Sequence, residues 1–185
     1  SEDDAFKRLS ERLLCLIETA EKYDVTLALE PHGSFSLTAD GLERILSISS
    51  SKHFGINYDC ANIRRAGFVE TRDGAAAWRS IGASDETVQS ATRDTLAQSH
   101  AREAIEVATL RRVISCVVHF HAKDLDERGS CVPLGQGIVD VAGCILLLRE
   151  AGYTGAVSLE TEGGMPFDES YRLAAASHEF LTRLI

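Results

Sequence analysis

The chain has 185 residues and a net charge of -9, enough length for one domain with a hydrophobic core. The acidic balance disfavours a nucleic-acid backbone as partner, which would call for a basic face. No apolar stretch approaches the roughly 20 residues of a membrane span, and no signal-peptide pattern opens the chain, so no membrane partner is expected. Residues 4–22 have the spacing of a helix, with Phe6, Leu9, Leu13, Leu16, Ile17 and Ala20 on one face. Val25 to Leu29 form a short apolar strand that ends in Glu30-Pro31-His32-Gly33, and Thr38 is placed to cap a helix through Leu42, Ile45, Leu46 and Ile48. Phe54 to Tyr58 predict a second strand, ending in Asp59. The long segment from Ile63 to about Arg112 is rich in Ala, Arg, Thr and Ser, and 84–111 has helical character. Trp78 is its candidate packing anchor. Ser115 to His121 predict a third strand, followed by Lys123-Asp124 and a loop with Gly129, Pro133, Gly135 and Gly137. Val139 to Ala151 predict a helix with Val141, Ile145, Leu146 and Leu148 inward and Gly152 as its stop. Ala156 to Leu159 form the last strand, ending in Glu160, and a final helix runs from about 168 to 184 with Tyr171, Leu173, Ala174, Phe180, Leu181 and Leu184 on its apolar side.

Short apolar strands alternating with helices argue an α/β fold with a parallel sheet of βαβ units, the strands side by side through right-handed crossovers. Only four strands are found, where a closed barrel needs eight. The chain starts at Ser1 within an amphipathic run, and a fragment or a processed start is expected. The five cysteines, Cys15, Cys60, Cys116, Cys131 and Cys144, are odd in number and include no CxxC pair. They read as reduced, mostly buried thiols in a cytoplasmic protein.

Each strand ends in a side chain able to bind a metal: Glu30, Asp59, His121 and Glu160. In parallel barrels the carboxyl ends of the strands share one rim, and neighbouring strands lie about 5 Å apart, so four such residues can converge on one ion. Three carboxylates and an imidazole form an oxygen-rich set suited to Mn²⁺, Mg²⁺ or Co²⁺ rather than to a structural zinc. Taken singly, each carboxylate is as readily a solvated residue or a helix cap, and His121 a packed histidine. The joint pattern, repeated at four strand ends, is the stronger signal.

Five stretches resemble motifs of the xylose isomerase-like superfamily: Leu27-Ala-Leu-Glu-Pro-His-Gly, Phe54-Gly-Ile-Asn-Tyr-Asp-Cys-Ala-Asn, His119-Phe-His-Ala-Lys-Asp, Leu134-Gly-Gln-Gly-Ile-Val-Asp and Gly152-Tyr-Thr-Gly-Ala-Val-Ser-Leu-Glu. The resemblance covers about 25–62 and 113–184 and implies the C-terminal half of a (β/α)8 barrel. It makes 1–185 a single domain whose N-terminal half is missing and in which 63–112 is an atypical insertion. It implies Glu30, Asp59, His121 and Glu160 as ligands of a divalent ion, with Glu30 and Glu160 also the catalytic acid/base pair on opposite faces of a sugar or sugar phosphate. The implied reaction is isomerisation or epimerisation through an enediolate. The alternatives are an inosose-type dehydratase on the same fold and a truncated, non-catalytic barrel fragment. An apurinic-site endonuclease would need more histidine ligands and a basic surface.

For substrate contacts the resemblance points to His32, Asn62, His119 and Lys123. His32 is either a contact to a substrate hydroxyl or a solvent-facing loop residue. His119 either orients a ligand or binds substrate, or else packs in the barrel. Lys123 pairs either with a substrate oxyanion or with Asp124 or another nearby carboxylate. Asn62 stands where some epimerases of the superfamily carry histidine. Arg64 and Arg65 either reach an anionic substrate or are a solvated loop pair, and the role of Gln136 in the glycine-rich loop is open. Glu160 is preferred to Glu162 as ligand because it closes the apolar run. Four βα units leave two open sheet edges, so a homo-oligomer is expected.

Overall fold

The computed structural model describes residues 2–32, 35–65, 103–162 and 164–184. Trp78 and residues 84–102 of the helix expected over 84–111 lie outside them. Helix α1 (Glu2–Lys22) leads into β1 (Leu27–Leu29), and α2 (Ala39–Leu46) into β2 (Phe54–Asp59). Helix α3 (Ile105–Val113) and a 3₁₀ turn (Ile114–Cys116) precede β3 (Val117–Ala122). A hairpin of β4 (Asp124–Leu125) and β5 (Cys131–Val132) follows, then α4 (Val141–Glu150), β6 (Val157–Leu159) and α5 (Phe167–Thr182).

The four long-range strands form one sheet in the order β1-β2-β3-β6, all parallel. Neighbours in the sheet are thus successive crossover strands, as in one side of a barrel. Tyr58 and Phe120 stack at 6.0 Å between ring centroids and join Ile56, Ala122, Leu110, Val113, Val141 and Cys144 in the main core. A smaller cluster of Leu13, Ile17, Ile45 and Phe54 fixes α1 and α2 over the first two strands.

Local chemistry accounts for the boundaries. The Thr38 hydroxyl accepts the Gly41 N–H at 3.1 Å, so α2 starts as the sequence indicates. Asp140 does the same for α4, accepting from Gly143 N–H at 2.8 Å. Gly152 adopts φ +72°, the left-handed turn that ends α4. In β2, a Cβ on Gly55 would approach the Cys116 carbonyl oxygen and Val118 too closely. Glycine there lets the sheet take up an irregularity, in which Ile56 pairs with Val117 but Asn57 with His119.

Several expectations are corrected, and the first strand begins at Leu27 rather than Val25. The third strand begins at Val117 rather than Ser115, because Ile114–Cys116 form the 3₁₀ turn. Leu16 is 51% exposed, since it lies roughly 60° round the helix from Leu13, outside the narrow arc that α1 presents to β1. Leu146 and Tyr171 also face outward, as Ile145, Leu147 and Leu148 fill the inner side of α4 and Leu173 and Ser177 that of α5.

Glu106 is fully buried in α3, a placement its apolar neighbours disguise. Its Oε1 accepts the Asp140 N–H at 2.7 Å, its backbone carbonyl accepts the Tyr58 hydroxyl at 2.6 Å, and Arg64 approaches Oε2 at 3.7 Å. Burial raises the carboxyl above the usual range, against the opposing effects of the Asp140 N–H and Arg64. A raised native value means the unfolded chain releases this proton first. Stability is therefore lost as pH climbs from about 4.3, the ordinary glutamate value, through the native one. Glu106→Gln keeps the acceptor and removes the charge. In urea unfolding its stability relative to the parent is expected to increase between pH 4 and pH 8, and a pH-independent difference would refute this.

Candidate metal centre

Strand alternation places Asn57 with Asp59, His119 with His121, and Ser158 with Glu160 on one face of the sheet. Glu30 follows β1 directly, and Glu160 follows β6, its N–H held by the Ala122 carbonyl at 3.1 Å. In β2 and β3, Asp59 and His121 are register partners. One ligand atom each from Glu30, Asp59, His121 and Glu160 consequently lie within 4.8 Å of one another. His121 Nδ1 lies 3.2 Å from Glu30 Oε1 and 2.7 Å from Glu160 Oε2.

Two further groups set the charge. Lys123, with no exposed side-chain surface, places Nζ 2.8 Å from Asp59 Oδ2, 3.0 Å from Glu160 Oε1 and 3.4 Å from Glu162 Oε1. Of the partners open to it, a nearby carboxylate is the one observed, and Asp124 is engaged elsewhere. Arg65 grips Glu162 with both guanidinium nitrogens, at 2.5 and 2.7 Å, and donates to the Gly129 carbonyl at 3.3 Å. Burial raises the Asp59 carboxyl, with Lys123 opposing. At Glu160 burial acts the same way but is outweighed by Lys123, the Asp59 side chain beside it and His121, and the carboxyl is lowered. Burial depresses Lys123, but Asp59 and Glu160 more than reverse it and hold the ammonium above its ordinary range. The Arg65 hydrogen bonds bring Glu162 down to about 2.

The donor set fits a divalent cation. Glu30, Asp59 and Glu160 against Lys123 leave two net negative charges around the cluster. Two buried carboxylate oxygens in it, Asp59 Oδ2 and Glu160 Oε2, make ion contacts with Lys123 and His121 but no well-directed hydrogen bond, as oxygens aimed at a shared centre would.

The other expected residues lie around this cluster at different depths. The Asn62 N–H donates to Asp59 Oδ1 at 2.8 Å and fixes that carboxylate, while its own buried Nδ2 has no partner. The His119 ring meets His121 edge-on at 5.2 Å. His32 is exposed, its backbone N–H on the Ser36 hydroxyl at 3.1 Å. Cys60 is fully buried and donates to the His121 and Lys123 carbonyls at 3.5 and 3.4 Å, and burial raises its thiol. It packs as a small hydrophobe rather than joining the four-residue group. Arg64 turns to Glu106 and Arg65 to Glu162, and Gln136 is exposed. Sequence reasoning passed over Asn57, whose Nδ2 lies 3.3 Å from both His121 ring nitrogens and whose buried Oδ1 is unpartnered. Its place two residues before Asp59 on one strand was the available signal.

Among the described residues no helix is long and apolar enough to cross a membrane. The sequence profile of the xylose isomerase-like TIM barrel matches residues 1–184. Similar solved structures include a D-tagatose 3-epimerase-like protein, 19% identical with TM-score 0.63 over 95% of this chain and 52% of that one. A probable 3-DHS dehydratase from Bacillus anthracis is 17% identical, with TM-score 0.64 over 94% and 55%. The 3-keto-D-glucoside 4-epimerase of E. coli is 18% identical, with TM-score 0.63 over 98% and 55%. This chain spans about half the length of the structures it matches. No curated protein matched it.

Proposed function

The chain belongs to the xylose isomerase-like TIM barrel family, and we propose that it carries the metal-binding and proton-transfer half of a sugar isomerase or epimerase. The observation that carries this reading is the convergence of Glu30, Asp59, His121 and Glu160 at the carboxyl ends of four adjacent parallel strands. These four would hold a divalent ion, Mn²⁺, Mg²⁺ or Co²⁺ by the hardness of the donors. When bound, such an ion supplies Lewis-acid polarisation of a substrate carbonyl and stabilises negative charge on its oxygens.

The remaining chemistry falls to the chain's own residues. Isomerising or epimerising an α-hydroxy carbonyl compound means taking a proton from carbon and returning one to its neighbour or to its other face, through an enediolate. Glu30 and Glu160 enter the cluster from β1 and β6, the two outer strands of the described sheet. They are the proposed acid/base pair, one for each side of a substrate lying between them. Glu160, lowered by Lys123 and His121, suits the base at neutral pH. Asn62 and Asn57 hold the arrangement, through the Asp59 carboxylate and beside the His121 ring. His119, one step deeper on the same face, and exposed His32 are the proposed contacts to substrate hydroxyls.

A dehydratase is the second reading, favoured by the similarity to the probable 3-DHS dehydratase. It begins with the same abstraction of a proton next to a carbonyl. Both readings share one test. Calorimetric titration with Mn²⁺ is expected to show one saturable site in the parent chain, weakened at least about 100-fold in Asp59→Ala, the upper range for loss of groups that organise a metal site. Equal or absent binding in the two proteins would sink the metal-centred reading.

A further inference from the structure

Lys123 has an unusual position for a residue beside a candidate metal site. Its ammonium is fully buried and lies within ion-pair distance of two of the four members of the donor set, Asp59 and Glu160. A cation that shares those two carboxylates competes with it for the same negative charge. The ammonium also has a third carboxylate within reach, Glu162 Oε1 at 3.4 Å, which is not part of the donor set and is anchored by Arg65. Without Lys123, three carboxylates would face one another with only His121 between them, and a neutral histidine brings no charge to offset their repulsion.

We propose that Lys123 is the site's internal counter-cation: it holds Asp59 and Glu160 in place before a divalent ion binds, and it shifts its ion pairing toward Glu162 when one does. The inference rests on the metal-centred reading of the four strand-end residues. Lys123 acts through those carboxylates and is a positioning residue. Its presence lowers affinity for the divalent ion in exchange for a folded, unstrained donor set in the unloaded protein. Glu162, with the Arg65 clamp behind it, is the place where the displaced charge is received.

The role predicts two effects of opposite sign from one substitution. Lys123→Met removes the charge and keeps most of the length of the side chain. Unloaded Lys123→Met is expected to melt at lower temperature than the parent, since the three carboxylates then repel. The same variant is expected to bind Mn²⁺ about tenfold tighter by calorimetry, within the range over which groups behind the ligands tune metal affinity. A lysine that merely packs the site would lose stability and bind the ion more weakly, and weaker or equal affinity overturns the proposal. Should Lys123→Met fail to fold, the exposed Glu162→Gln is the second variant. Depriving Lys123 of its alternative partner is expected to weaken Mn²⁺ binding about threefold to tenfold, and unchanged or tighter binding overturns the proposal. The parent titrated beside Asp59→Ala separates the two failures: no saturable site in the parent removes the metal-centred reading and this inference with it, whereas a normal parent with an unresponsive Lys123→Met removes only the inference.

Discussion

Asp124→Ala is expected to destabilise the protein by about 3–5 kcal/mol, measured by urea unfolding. Asp124 is 1% exposed and accepts four backbone N–H groups. Oδ1 takes those of Leu125 at 2.8 Å and Val139 at 3.0 Å, and Oδ2 takes those of Gly135 and Gly137, each at 2.9 Å. Its carboxylate is thus the centre around which the loop between β5 and α4 is wound. The loop returns to the hairpin through the Ile138 N–H on the Leu125 carbonyl at 2.8 Å. A Cβ on Gly137 would overlap both that carbonyl and the Asp124 carboxylate, so the loop admits glycine there for closeness of approach. Hydrogen bonds to a charged acceptor contribute roughly 1.5–3 kcal/mol each. Four such losses do not add in full, because the exposed Gly135 and Gly137 regain water. The expected loss is still a large fraction of the 5–15 kcal/mol typical of a domain. Asp124→Asn retains one acceptor oxygen and turns an amide N–H₂ toward two donors, so its loss should be intermediate. A change below about 1 kcal/mol in Asp124→Ala would mean that the loop is held by its other contacts.

This carboxylate also marks where the sequence stopped being readable. The four strand ends were legible because each signal is local: a short apolar run, then a polar residue, then a turn. Sheet order followed, since successive parallel strands joined by right-handed crossovers lie side by side. The hairpin of β4 and β5 has two residues per strand, too few for any periodicity, and Asp124 stood out only as the end of a motif and a possible partner for Lys123. The same limit applies to pairs distant in sequence. Arg65 finds Glu162 97 residues away and could not be distinguished from a solvated charge, and Lys123 was expected to meet a nearby carboxylate, but only tertiary closure makes that partner Asp59. Helical spacing revealed the apolar stripes of α1 and α5 but not their width, which is set by what each helix packs against. That is why Leu16 and Tyr171 face out. Glu106 shows the opposite failure: a carboxylate within an apolar run looks like the exposed turn of a helix, and only the Asp140 N–H and the Tyr58 hydroxyl disclose that it is buried.

Glu160→Gln should give the largest effect on turnover, about 10²–10⁴-fold on the proton-transfer step, while leaving an amide oxygen where the carboxylate stood. If Glu30 and Glu160 each serve one side of the substrate, the loss has a recognisable asymmetry. In deuterated solvent, with Mn²⁺ present and either epimer of a reactive keto sugar supplied separately, the parent is expected, on the proposed function, to exchange the carbon-bound hydrogen of both. Glu160→Gln is expected to retain exchange into one epimer through Glu30 and lose it from the other, with no interconversion of the two. Glu30→Gln should show the reverse preference. Mass spectrometry of recovered sugar reads the deuterium, and the parent's Mn²⁺ isotherm beside that of each variant shows whether the donor set survives the amide. Two variants that lose exchange from both epimers while binding the ion normally would exclude a division of labour between the carboxylates and leave a single base serving both directions. The asymmetry follows from geometry: the two carboxylates enter from opposite outer strands of the described sheet, with Asp59 and His121 on the strands between them. On the proposed function, a planar enediolate held between them would present a different face to each.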